Sequence, residues 1–423
     1  MARLILRSLR NGLLTLGLCV TVACGAAPAP STSSAETPQP SQAPAITPSA
    51  APQSPEPQAT TFKGARSATV TAAPDGRVYV VVGMGEELLV ARAQEDGRGF
   101  DEPVRASGDV PALVLPIERP SIAVDQTGRV GVTWIEHGSS GKPKIWYSQS
   151  TDSGRTFDAP REVSEVDARE AAMVRMTFDR QHSPLMVWLQ DGALGQARAV
   201  DSGASFAAAQ TIDAEVCDCC QPDPLILGER VLIAFRNVTH EGTDDLRDIY
   251  VLASDDGGAT FGEAVQVADG SWRLNACPIS GPALVGTDER VYVAWMDGRN
   301  DREGTGTRGD LWLASSVDGG RSFTPDVRVN SDEQHMHTLP ALAIGPQGRL
   351  HIAWEMSTDE HTAILYTTSD DHGATFAPPR ELVRSDDGAG RGHPTAPSLA
   401  VTQSGTVHVA WIDNLGAHVL AMP

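Results

Sequence analysis

Cations, cysteines, aromatics and long apolar runs are all scarce in this chain of 423 residues. Lys and Arg number 33 against 54 Asp and Glu, for a formal charge of −21. So acidic a chain repels polyphosphate and anionic headgroups, which argues against nucleic acid and anionic lipid surfaces as partners. The one extended apolar stretch, Leu13–Val22, is too short to span a bilayer. No phosphate-binding glycine loop, Ser–His–Asp signature or helix-borne zinc protease motif occurs. Six cysteines are present, and beyond Cys19 and Cys24 only Cys217, Cys219, Cys220 and Cys277 remain.

The N-terminal region reads as an export and tethering segment. Arg3, Arg7 and Arg10 precede the apolar run, which ends in Thr21-Val22-Ala23-Cys24-Gly25. This order is that of a secretory signal over residues 1–23, and the cysteine after a small residue resembles a bacterial lipoprotein cleavage box, with Thr21 in place of the usual Leu. Lipidation at Cys24 is expected, and an ordinary signal peptide with an incidental cysteine is the alternative. Residues 24–60 are almost wholly Ala, Pro, Ser, Thr and Gln, with only Glu36 and Glu56 charged. Such a composition cannot bury a core, so the segment reads as a disordered tether. The expected location is the bacterial cell envelope, periplasmic or surface-exposed, with membrane attachment through Cys24.

From residue 61 a repeat takes over. Four clean copies of Ser-x-Asp-x-Gly-x-(Ser/Thr)-Phe centre on Asp152, Asp256, Asp318 and Asp371, and two worn copies include Asp201 and Glu95. Their phenylalanines, Phe100, Phe157, Phe206, Phe261, Phe323 and Phe376, are spaced by 57, 49, 55, 62 and 53 residues. That is the length of a four-stranded propeller blade. Before each box lies a strand pair whose second member ends in an aromatic or a close variant, as in Val132-Thr133-Trp134, Val293-Ala294-Trp295 and Ile352-Ala353-Trp354. A seventh pair, ending at Trp411, has no box. The unit is strand A, turn, strand B, variable loop, strand C, box, strand D. The predicted architecture for 61–423 is all-β: a propeller of seven four-stranded antiparallel blades, six being the alternative. The last unit lacks strand D, and a closed ring leaves no free edge, so the stretch around Thr60–Lys63 is expected to fill the slot.

One box per blade resembles the Asp-box (BNR) repeat of the sialidase, or neuraminidase, superfamily. The resemblance covers nearly all of 65–423. It implies a structural role for the boxes and, in sialidases, three arginines that clamp a substrate carboxylate, a Tyr–Glu nucleophile pair and an aspartic acid/base. The family's Arg-Ile-Pro signature is represented only by Arg119-Pro120, with the intervening residue missing. Arg119, Arg236, Arg247 and Tyr250 are the nearest candidates for catalytic roles. The boxes occupy the face opposite the B–C and D–A connections, so function is sought on the latter, upper face. There the long charged loops of blades four to six carry Asp248, Asp297, Arg299 and Glu355 as candidate binding residues.

The same logic gathers the cysteines. Cys217-Asp218-Cys219-Cys220 leads into blade four and Cys277 into blade five, so all four reach the upper face on neighbouring blades. In an exported protein two disulfides are the default, with three connectivities open and a bond from Cys277 to one of the other three as the natural staple. A copper or zinc site is the alternative, with His335 and His337 from the next connection as further ligands. The expected function is therefore a ligand-binding propeller for a glycan or a protein, requiring no cofactor. A sialidase-type glycoside hydrolase and a copper- or zinc-binding envelope protein are the alternatives.

Overall fold

The structure is a computed structural model. It describes residues 59–423 apart from 96–98, 137–141, 166–167, 269, 302–305 and 386–391. The chain divides after Glu56, and the unit Pro57–Pro423 holds all of the described residues. The signal segment, Cys24 and nearly all of the tether fall outside them.

Seven four-stranded antiparallel sheets follow one another; the first six are ordered A-B-C-D along the chain, and the seventh takes its fourth strand from before blade one. Blades one, two and three begin at Ser67, Ser121 and Ala171. Blade four comprises Asp223–Leu227, Arg230–Arg236, Ile249–Ser254 and Val265–Gln266. Blade five comprises Ala283–Gly286, Val291–Asp297, Asp310–Ser316 and Val327–Arg328. Blade six runs from Met336 to Arg384. Blade seven contributes Thr395–Val401, Val407–Ile412 and Gly416–Met422, and its fourth strand is Thr60–Lys63. Thr60 pairs with Val419 and Lys63 with Gly416. The expected closure by the N-terminal segment is therefore what the ring uses.

Strand B explains why the sheets stack. In a ring, both faces of a blade are covered by its neighbours, so strand B need not alternate polar and apolar residues. All seven residues of Val291–Asp297 are buried. Trp134, Trp188, Trp295 and Trp354, at equivalent ends of strand B, are among the largest fully buried side chains. The apolar core accordingly falls into seven clusters, one at each seam between neighbouring blades.

The boxes complete the seams from below. In the second blade, Asp152 Oδ1 accepts from Thr156 N at 2.9 Å and from Ser150 Oγ at 2.7 Å, while Gly154 N donates to Ser150 Oγ at 2.8 Å. The same set recurs around Asp256, Asp318 and Asp371, and a reduced form around Asp201. The glycine of the box needs a left-handed backbone, with φ of 79° at Gly154 and 89° at Gly258. The closing aromatic packs back on the preceding blade, as Phe206 does edge-on against Tyr147 at 5.7 Å. These aspartates hold a turn and face away from the upper surface.

Candidate functional site: the upper face of blades four to six

A gap of about 30 Å³ in the central channel is lined by Arg119, Met173, Gln221, Ile279, Leu339 and Ala396 among others. Met173, Ile279, Leu339 and Ala396, where the chain enters strand A of blades three, five, six and seven, all have φ between 52° and 61°. These turns present backbone groups to the channel wall. Met173 N donates to Glu118 Oε1 at 2.7 Å, and Ala396 O and Pro397 O accept from Arg119 Nη1 at 3.4 and 2.6 Å. At Gly281 a side chain is excluded altogether, because a Cβ would lie 2.0 Å from Gln221 O.

The arginines named as catalytic candidates are spent on the fold. Arg119, besides its two carbonyls, donates to Gln221 Oε1 at 3.1 Å, and burial draws its pKa down to about 10. Arg236 is 1 % exposed and donates to the carbonyls of Ser280, Met296 and Arg247 at 3.1, 2.6 and 2.7 Å, with its guanidinium 5.1 Å above the Trp272 ring. Arg247 donates to Leu274 O at 2.7 Å, to Asp245 at 3.2 Å and to Cys217 Sγ at 3.1 Å. Arg236 and Arg247 are thus neighbours, whereas Arg119 belongs to the channel. Tyr250 sits in strand C opposite Phe235, and burial, with the charge of Asp248, raises its pKa. A tyrosine made harder to ionise is poorly suited to act as a nucleophile. These four residues do not form a carboxylate clamp with an activated tyrosine.

The binding candidates are likewise engaged. Arg299 Nε lies 2.9 Å from Asp297 Oδ1 and its Nη1 lies 2.7 Å from Asp326 Oδ2, over the Trp312 ring at 4.4 Å. With two carboxylates on one guanidinium, neither Arg299 nor Asp297 is free for a ligand. Trp295 Nε1 also donates to Asp297, at 3.0 Å. Asp248 accepts from Trp272 N at 3.1 Å and supports that side chain from behind. Glu355 accepts from Thr395 Oγ1, and burial raises its pKa.

Between blades five and six the upper face opens into a cleft of about 320 Å³. Trp272, Met296 and Met336 provide an apolar lining, with Cys277, Asp301 and Arg308 also at its wall. Arg308 is exposed and has no acidic partner among the described residues. Arg273, also lining the cleft, is held by Glu241 and Asp244 of a hairpin, Thr239–Glu241 paired with Asp244–Leu246, that forms the B–C loop of blade four. The sequence drew attention to the long loops of blades four to six, with Met296 to Asp310 and its Arg308 among them, and to Met336, but not to Trp272. The connection carrying Trp272 lies between strands of two blades, so only the ring geometry reveals its neighbours.

Beside the cleft the four cysteines meet. Cys219 and Cys277 are joined in a disulfide, while Cys217 and Cys220 are free and buried. Cys217 Sγ lies 3.5 Å from Cys219 Sγ and 3.1 Å from Cys220 Sγ. The hydrogen bond with Cys220 leads in drawing the Cys217 pKa down to about 6, aided by the charges of Arg236 and Arg247. Burial and the neighbouring Cys217 push Cys220 the other way. Among the described residues the ligand-capable group is Cys217, Cys219 and Cys220 alone. His335 and His337 do not join it. His335 bonds Asp332, and His337, buried, accepts from Trp354 Nε1 at 2.9 Å, with burial lowering its pKa to about 4. The expected convergence of thiol and imidazole is therefore corrected: the histidines serve the seam of blade six.

No curated protein matches the sequence. Among solved structures, a polysaccharide lyase described as a PL25 ulvan lyase bound to -[GlcA(1-4)Rha3S]- shares the fold, with a TM-score of 0.58 at 11 % identity over 86 % of this chain and 96 % of that one. The intramolecular trans-sialidase from Ruminococcus gnavus, in complex with oseltamivir carboxylate, gives 0.50 at 10 % identity over 78 % and 97 %. The BNR repeat-like domain matches residues 116–352. With more than half of its length covered by that match and the box turn formed beneath five blades among the described residues, the chain belongs to the BNR repeat-like family of sialidase-like β-propellers.

Proposed function

We propose that this protein is a glycan-binding propeller of the cell envelope that holds an acidic saccharide in the cleft between blades five and six without cleaving it. The observation that carries this reading is the pairing of the exposed Arg308 guanidinium, which has no acidic partner among the described residues, with a tryptophan and thioether lining in one cleft. An apolar wall suits the face of a sugar ring, and the Arg308 guanidinium pairs with a carboxylate. Both fold relatives described above hold carboxylate-bearing ligands. Arg308→Ala is expected to weaken binding of a uronate or sialyl oligosaccharide about tenfold or more, since a hydrogen bond to a charged group is worth roughly 1.5–3 kcal/mol. Titration calorimetry over a panel of acidic and neutral oligosaccharides measures this, and equal affinity in the variant defeats the reading. Turnover of a fluorogenic sialoside, lost on Arg119→Ala, would install the glycosidase instead.

Attachment through a lipid on Cys24 completes the proposal, with the Ala- and Pro-rich segment as the tether. Cells fed labelled palmitate should label the wild-type protein and not Cys24→Ala. A second reading, copper or zinc handling, draws on the sulfurs of Cys217, Cys219 and Cys220, which lie within 4.8 Å of one another. It requires the bond from Cys219 to Cys277 to be open, and metal analysis of the reduced protein tests it.

A further inference from the structure

Four sulfurs meet where the connections into blades four and five touch, yet only two are bonded. In thiol–disulfide exchange the nucleophile is a thiolate, and it must reach one sulfur of a disulfide. Cys217 meets both conditions. Its sulfur accepts from Arg247 Nη1 at 3.1 Å and lies 3.1 Å from the sulfur of Cys220, whose own proton burial retains. Solvent does not reach it, for Cys217 is 1 % exposed. The electrophile within reach is Cys219 Sγ, at 3.5 Å. On the far side of that disulfide Cys277 is exposed and lines the upper cleft.

We propose that the cluster is an intramolecular thiol–disulfide exchange site that delivers Cys277 to the cleft as a reactive thiol. The Cys217 thiolate attacks Cys219 Sγ. A bond between Cys217 and Cys219 forms as the bond between Cys219 and Cys277 breaks, and the electron pair leaves on Cys277. One thiolate and one disulfide stand on each side of the step, so it consumes no oxidant or reductant. Cys220 retains the remaining thiol throughout. The surface thiolate then attacks a low-molecular-weight disulfide from solution, forming a mixed disulfide on Cys277 and releasing one thiolate. This site stands independently of the glycan reading, since it rests on the sulfur positions and not on what fills the cleft.

The full chain, isolated without reductant, is incubated at neutral pH with N-ethylmaleimide or with oxidised glutathione, quenched in acid and mapped by non-reducing peptide mass spectrometry. The expected result is an adduct on Cys277 together with a Cys217–Cys219 bond. Cys217→Ser should slow modification of Cys277 at least tenfold, while Cys220→Ser, folded by circular dichroism, should still be modified there. The proposal is overturned if Cys277 stays unmodified with its bond to Cys219 intact. It is equally overturned if Cys277 reacts as fast in Cys217→Ser, or if the isolated protein carries a second disulfide between Cys217 and Cys220 and no thiol at all.

Discussion

Burial holds the Glu118 carboxyl up at about 8, because the N–H groups of Met173 and Val174 only partly offset its lost hydration. A folded pKa above the unfolded one means that the native state binds the extra proton. Stability is then full below about pH 4.5 and falls as pH rises toward 8. Glu118→Gln should flatten the decline in urea-unfolding free energy between pH 5 and 8, and an unchanged slope would show that the carboxyl ionises freely in the fold. The box aspartates have the opposite sign: hydrogen bonds from Thr156, then Ser150, hold Asp152 at about 2, so its contribution is full above about pH 4 and is lost as pH falls toward 2. The role of Asp152 was legible from its repeat. That of Glu118 was not, because a lone acid beside Arg119 looks like half of an ion pair, and only the channel wall reveals that Arg119 turns to carbonyls instead.

Strands were more readable than the loops between them. The aromatic near the end of strand B in six of the seven blades and the missing strand D of the last unit both follow from covering two faces and leaving no edge, and those constraints act everywhere in a ring. The closing strand offers the direct check. Phe62 is half-buried and meets Phe100 of blade one at 5.6 Å, so it fastens the seam between the last blade and the first. Phe62→Ala should cost roughly 2 kcal/mol, below the range for a fully buried ring. It should appear as a lower urea midpoint with an unchanged slope. The hairpin in the B–C loop of blade four was invisible in the sequence for a physical reason: its acids, Glu241 and Asp244, are neutralised by Arg273 from the following blade's connection. Local periodicity cannot register a partner about 30 residues away.

At the scale of the molecule, the two faces have divided the work. The lower one carries repeated turns that brace the seams, and the upper one carries unequal loops, the cleft and the sulfur cluster. The repeat alone places the cysteines on neighbouring blades, and a bond from Cys277 to that cluster is what forms. It placed the arginines no better than by face, since a long side chain can turn outward to a ligand or inward to bare carbonyls, and Arg236 turns inward.

The closing strand also sets a clock. Thr61 and His418, hydrogen-bonded at 3.0 Å, stand 357 residues apart in the chain. Bringing such distant ends together costs about 5 kcal/mol of chain entropy. It also makes the earliest strand to be synthesised wait for the latest. Six blades can assemble as they emerge, but the seventh needs both ends of the domain in one place. Ring completion therefore waits for the strand Gly416–Met422, and a chain cut short after blade six leaves Thr60–Lys63 without the strand it pairs with.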